Sequence, residues 1–340
     1  MVEFDTGMAV AKLADVPAAA RAVEELGFSG LWTAETGHDP YLPIALAAEH
    51  TSRIQLGTSI AVAFPRSPMV HAMTAWDLAQ QSGGRFILGL GTQVRGHNKR
   101  RFGINWNKPG PQLREMITMI RAVWDCFQNG TPPSFQGEYY QFTLMTPFFN
   151  GGPIDHPEIP IYIAGVNPYI CRLAGEVCDG FHVHPLHSIE YVEKCVKPWI
   201  AEGAAKTGRD PGQVKLASTC FTIVGDTEEE QDALRAMVRS QISFYASTPA
   251  YKPVLAAHGW EDVGPMLTQK SREGDWGGMA DLITDEMLDV FAVTGTWDEI
   301  AGKMKQRYEG VLDRIGFYIP FRPGQDEARW QKVVSAFAAG

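Results

Sequence analysis

Residues that can move a proton or cradle a small ligand fall in short clusters, and each cluster follows an apolar run. Glu35, Thr36, Gly37, His38 and Asp39 follow Phe28–Ala34. Thr58, Ser59 and Ile60 sit inside Ile54–Ala63, and Gly89, Gly91, Thr92 and Gln93 end the run that starts at Phe86. Ala164, Gly165, Val166 and Asn167 end Ile159–Val166, and His182, His184 and His187 follow Gly180. A histidine titrates near working pH and suits proton transfer. Glycines at a strand end let a ligand approach the backbone closely. Each cluster also has a plainer reading: Thr-Glu-Thr-Gly-His-Asp can be a turn that caps the next helix.

Other chemistries find little support. His182-x-His184 puts two rings on one strand face, as a metal site requires, but the seventh strand end offers Asp226 and the eighth only Arg322, so hydrogen-bonding histidines are expected and no metal. Gly89-x-Gly91 lacks the third glycine and the downstream acid of a dinucleotide fingerprint. There is no Gly-x-Ser-x-Gly elbow or phosphate loop. The run Arg95-Gly96-His97-Asn98-Lys99-Arg100-Arg101 is a dense basic cluster just past a glycine-lined strand end. Such a run is either solvated surface or a partner for an anionic group.

The elements that position these clusters are strands alternating with helices. Strand signals begin near residues 4, 28, 54, 85, 159, 179, 214 and 314. Most are followed by a helix, as where Leu113, Met116, Ile117, Ile120, Trp124 and Phe127 fall on one face. Eight such units predict a (β/α)8 TIM barrel spanning 1–340 as one domain, with ligands at the C-terminal strand ends; a doubly wound sheet is the alternative. Residues 93–112, 129–158 and 247–290 break the rhythm and read as insertions after strands 4 and 7.

Composition narrows the partners. The 340 residues are 45% hydrophobic and 20% charged, with net charge −9, which supports a full core and argues against nucleic acid or an anionic membrane as partner. Five cysteines without regular spacing fit a reducing, cytoplasmic setting. No signal peptide or membrane helix is expected. The aromatic residues Phe64, Trp106, Tyr169, Trp260 and Trp276 could line an apolar substrate pocket or simply pack.

Several segments together carry a family resemblance. They are Leu26-Gly27-Phe28-x-x-Leu31-Trp32, Arg53-Ile54-x-Leu56-Gly57-Thr58-Ser59-Ile60, Pro68 with its helix, and Ser82-Gly83-Gly84-Arg85-Phe86-x-Leu88-Gly89-Leu90-Gly91. Phe102-Gly103, Leu113-Arg114-Glu115 and Ile159-Pro160-Ile161-Tyr162-Ile163-Ala164-Gly165 complete them. The chain resembles the bacterial luciferase-like superfamily of flavin and deazaflavin monooxygenases and oxidoreductases over nearly its whole length, and most closely the F420-dependent oxidoreductase branch. The resemblance implies a homodimeric TIM-barrel oxidoreductase that moves a hydride between C5 of coenzyme F420 and a small organic substrate. It implies a non-prolyl cis peptide at Ser59–Ile60 behind the ring. Thr58, Ser59, Ile60, Gly89, Gly91, Thr92, Gln93, Ala164, Gly165, Val166 and Asn167 match cofactor-holding positions. Arg95, His97, Arg100 and Arg101 are expected to meet the carboxylates of the F420 tail, and His38, with Glu35 or His184, to handle the proton. Two alternatives stay open: an FMN-dependent monooxygenase served by a partner reductase, and a non-catalytic flavin-binding protein.

Overall fold

The computed structural model describes residues 2–339. Eight parallel strands are hydrogen-bonded in chain order: β1 (Glu3–Gly7), β2 (Gly30–Thr33), β3 (Gln55–Thr58), β4 (Phe86–Gly91), β5 (Ile161–Ala164), β6 (Gly180–His182), β7 (Lys215–Val224) and β8 (Arg314–Phe317). The ladder closes on itself, because Glu3 of β1 is in register with Arg314 of β8, just as Asp5 is with Gly30 of β2. This is a (β/α)8 TIM barrel. All six residues of β4 are buried, as expected for a strand covered on both faces.

Helices α1 (Val16–Leu26), α2 (Tyr41–His50), α3 (Pro68–Gln81), α4 (Pro109–Asn129), α5 (Pro168–Val177), α6 (Lys197–Thr207), α7 (Glu228–Ala246), α8 (Ile300–Tyr308) and α9 (Glu327–Ala338) surround the strands. The local chemistry explains their limits. Ser67 caps α3 by accepting from the Val70 N–H at 3.3 Å. Thr227 caps α7 by accepting from Glu230 N–H, while the Glu230 carboxylate reaches back to Asp226 N–H at 2.7 Å. The predicted face of α4 is buried from Leu113 to Phe127.

Three departures from the sequence reading stand out. The third strand is not continuous over Ile54–Ala63. It stops at Thr58 and resumes at Ala61–Val62, which pairs with Leu90 and Gly91 of β4; the Ser59–Ile60 peptide between the two pieces is cis, as the resemblance implies. Residues 247–290 are largely helical. Ala292–Gly295, for which the sequence predicts no strand, pairs in parallel with the outer end of β7.

Inside the barrel, Arg314 grips Asp5 with two hydrogen bonds of 2.8 Å, and the Trp32 indole N–H donates to the same carboxylate at 2.8 Å. Burying this pair is tolerable because each charge is matched and hydrogen-bonded. Among the described residues no helix is long and apolar enough to cross a membrane, and the five cysteines are unpaired.

Candidate functional site

A cavity of about 570 Å³ opens at the C-terminal ends of the strands, above the Arg314–Asp5 pair. Its size suits a small-molecule site. Two surface clefts of similar volume lie elsewhere, one beside α7 and one at the opposite end of the barrel.

The ends of strands β3 to β5 line one side of the cavity. Ser59 and Ile60 enter it from the cis turn, followed by Gly91, Thr92 and Gln93, then Ala164, Gly165 and Val166. A Cβ on Gly91 would come within 2.8 Å of the Ile60 side chain, and one on Gly165 within 2.5 Å of Ile170. Both positions therefore need glycine for close approach. Asn167 turns away from the cavity to cap α5, accepting from Ile170 N–H at 3.0 Å. Gln93 holds a left-handed backbone, φ 55°. Its loop is pinned by the buried Asn98, whose amide donates to the carbonyls of Thr92 at 2.9 Å and Val94 at 3.1 Å.

Other expected residues do not reach the cavity. Thr58 is fully buried, donating to Gly89 C=O at 2.7 Å and accepting from Gly89 N–H at 2.9 Å. Thr58 and Gly89 tie β3 to β4 behind the wall. Glu35 accepts two hydrogen bonds from Arg66, at 2.8 and 3.1 Å, and one from Val62 N–H at 2.7 Å. A carboxylate so occupied braces the Ala61–Val62 segment. Arg66 also pairs with Asp39 at 2.7 Å, and Asp39 caps α2. His38 is exposed and lines a smaller recess of about 170 Å³, which shares Met8, Thr33 and Ala34 with the main cavity. Arg95, His97 and Arg100 lie on an exposed short helix, Arg95–Arg100, which begins directly after the cavity-lining Val94. Arg101 follows it, donates to Thr36 C=O and stacks on Phe102.

Strands β6 to β8 give the other side, and it is made of side chains. His184 sits between Tyr245 and Tyr251, each with ring centroids 4.6 Å away. Its Nδ1 accepts from Leu186 N–H at 3.0 Å. Burial pulls its pKa down to about 3, helped by His187. His182 faces the Ser59 hydroxyl at 3.4 Å and meets Trp32 edge-on; burial, then the Arg314 charge, lowers its pKa to about 3. Tyr245 and Tyr318 share a hydrogen bond of 2.7 Å, and Tyr318 donates onward to Gln241 at 3.1 Å. Among the described residues no three His, Cys, Asp or Glu side chains converge as metal ligands.

The aromatic residues expected from sequence are not those lining the cavity. Phe64 packs on Trp106, Trp260 stacks on His258, and Trp276 is exposed. Trp32, Tyr245, Tyr251 and Tyr318 take that place. Tyr318 lies one residue beyond β8, so the strand-end rule could have found it. Tyr251 lies in an irregular stretch, and no sequence signal marks it.

The space beside Gly91 is filled by the Ile60 side chain and that beside Gly165 by Ile170, so this side of the cavity is close-packed around the cis turn. A Mycobacterium tuberculosis protein of uncharacterised function is 45% identical over 304 residues, covering 89% of each chain. The 5,10-methylenetetrahydromethanopterin reductase of Methanolobus tindarius is 30% identical over 336 residues, covering 96% of each. The solved coenzyme F420-dependent tetrahydromethanopterin reductase of Methanopyrus kandleri superposes with a TM-score of 0.76 at 22% identity, over 98% of this chain and 97% of that one. Residues 2–314 match the family described as luciferase-like monooxygenase, and the chain belongs to it.

Proposed function

We propose that the protein is an F420-dependent oxidoreductase acting on a small organic substrate. The observation that carries this reading is the free basic helix beside the β3–β5 side of the cavity. Arg95, Lys99 and Arg100 have no acidic partner among the described residues, and their helix begins directly after a residue of the cavity wall. In a chain of net charge −9, such a run serves a ligand that carries several carboxylates past its ring, as F420 does and FMN does not. The full-length similarity to the Methanolobus reductase supports an oxidoreductase.

When bound, the deazaflavin supplies a carbon that gives or takes a hydride. The protein's share is positional. Ser59 and Ile60 back the ring, Gly91 to Gln93 and Ala164 to Val166 admit it, and the basic helix meets its tail. His38 holds or releases the balancing proton at the rim, where it exchanges with water. Glu35 braces the Ala61–Val62 segment through its hydrogen bonds with Arg66 and Val62 N–H. The family's breadth gives a second reading, an FMN monooxygenase.

Titrating the purified protein with F420 and with FMN, at low and high salt, separates the two. F420 is expected to bind more tightly and to lose affinity with salt. Tighter FMN binding, indifferent to salt, would overturn the F420 reading.

A further inference from the structure

We infer that His184 is a fixed hydrogen-bond donor to the substrate, and that the substrate is an uncharged, flat molecule whose reducible carbonyl accepts that bond. The inference rests on the oxidoreductase reading and specifies its substrate side.

The tautomer follows from geometry. A backbone N–H can only donate, so the Leu186 N–H at 3.0 Å requires a lone pair on His184 Nδ1. In the neutral ring the proton then belongs to Nε2. Burial keeps the ring neutral. The groups facing it are His187, on its own loop, and Tyr245 and Tyr251 from the segments packed against it, and none of them supplies a negative charge that would hold a second proton. His184 lines the cavity, and no group among the described residues accepts from its Nε2. The other two histidines of this segment differ, since the Nε2 atoms of His182 and His187 are sealed from solvent. Of the three, only His184 can offer a donor to a ligand.

The surroundings set the ligand's shape and charge. Tyr245 and Tyr251 present rings on two sides of His184, which favours a flat unsaturated partner. The Tyr245 and Tyr318 hydroxyls are already joined to each other and to Gln241. Among the described residues no lysine or arginine lines the cavity, and the one carboxylate there, Asp5, is held by Arg314. An ionised substrate would meet no countercharge on this side. In the closed barrel β7 and β8 stand across from β3 and β4, so a substrate on the tyrosine side faces whatever lies against the β3–β5 side.

A bound reduced deazaflavin would supply the hydride to the carbonyl carbon and would leave oxidised. The C=O π bond would break, its electron pair would go to oxygen, and that oxygen would take the balancing proton, supplied through water by way of His38 at the rim. His184 Nε2–H stabilises the developing negative charge and keeps its own proton, since neutral imidazole is far too weak an acid to give it up. This is electrostatic assistance by a preset donor.

The test uses probes of matched shape with the holoenzyme. 2-Acetylnaphthalene, with a carbonyl, and 2-isopropenylnaphthalene, its C=CH2 isostere, are titrated by calorimetry against protein saturated with F420. The ketone is expected to bind at least 10-fold more tightly than the isostere, than 2-naphthoate, and than cyclohexyl methyl ketone. His184→Leu should abolish the preference over the isostere, and His184→Gln, which keeps an N–H, should restore part of it. ¹⁵N-histidine NMR of the protein without cofactor should show His184 protonated at Nε2 only, from pH 6 to 8. Equal binding of ketone and isostere in the unaltered protein, a preference that survives His184→Leu, or a proton on Nδ1 would each overturn the inference. If F420 fails to saturate the protein, the functional reading falls by that separate result, while the NMR still decides the tautomer.

Discussion

The two sides of the cavity are built from different material. From β3 to β5 the wall is close-packed around backbone features: a cis turn, glycines at close approach, and a loop pinned by one buried amide. From β6 to β8 it is imidazole and phenol, with hydroxyls chained together. Backbone recognises shape without regard to pH, so it suits a cofactor common to many enzymes. Side chains can be exchanged one at a time without refolding the barrel, so they suit the substrate, which differs from one enzyme to the next. The comparison predicts that damage to each side should be read out differently.

The largest expected effect comes from acid, and it belongs to the side-chain wall. Burial lowers the pKa of His182 and His184 to about 3 and that of His187 to about 4, with His71 likewise at about 4 behind Tyr41. The unfolded chain binds these protons near the ordinary histidine value of 6.5. Below that pH the unfolded state holds more protons than the folded one, so stability falls as pH drops from about 6.5 to about 4. Each histidine contributes up to about 1.4 kcal/mol per pH unit in that window. Urea midpoints between pH 7 and pH 5 should fall steeply, and His182→Gln should flatten the fall. A flat profile would mean the rings charge within the fold.

Next comes the close-packed wall. Gly91→Val should weaken F420 binding by about 10- to 100-fold, the range expected when an added side chain must displace Ile60 by the 1–3 kcal/mol of overpacking. Fluorescence titration measures this, with circular dichroism to confirm the fold. If this substitution altered substrate preference and left F420 affinity alone, the division of labour between the walls would be wrong.

A smaller effect is expected at Tyr318→Phe. It removes the hydroxyl that joins Tyr245 to Gln241, at a stability cost of about 1 kcal/mol. The Michaelis constant for substrate should change while F420 affinity stays within a few-fold. Equal effects on both would place Tyr318 against the cofactor instead.

The same division explains what could be read from sequence. Backbone-built features leave local marks: glycines at strand ends, and Thr58-Ser59-Ile60 in a run whose register is set by Leu56 and Ala61. The closed barrel followed from strand and helix rhythm, and the glycine wall from strand ends. The side-chain wall depends on where α7 and residues 247–290 fold back, which leaves no periodic signal, so Tyr245 and Tyr251 were invisible. Glu35 misled for a related reason. Its partner Arg66 lies 31 residues away on another loop, and a carboxylate at a strand end looks the same in sequence whether it is free or already bound. Asn98 was hidden in a basic run whose charges drew the attention, although it is the member buried in the loop it holds.

The smallest expected effect tests the part of the cofactor that lies beyond either wall. Arg95, Lys99 and Arg100 are exposed, so each contact with a carboxylate tail is weak and screened by salt. Arg100→Gln should weaken F420 binding by only about two- to five-fold at low salt. The difference should vanish at high salt, where the ions already do what the mutation does. Arg101→Gln needs a separate reading, because Arg101 also holds Thr36 C=O and its loss would loosen the turn that carries His38. FMN, which ends at its phosphate, serves as the internal control: its affinity should be unchanged by Arg100→Gln at either salt. A salt-independent loss for both cofactors would mean that Arg100 shapes the Thr92–Val94 loop and does not meet a tail, and the charge argument for F420 would then lose its footing.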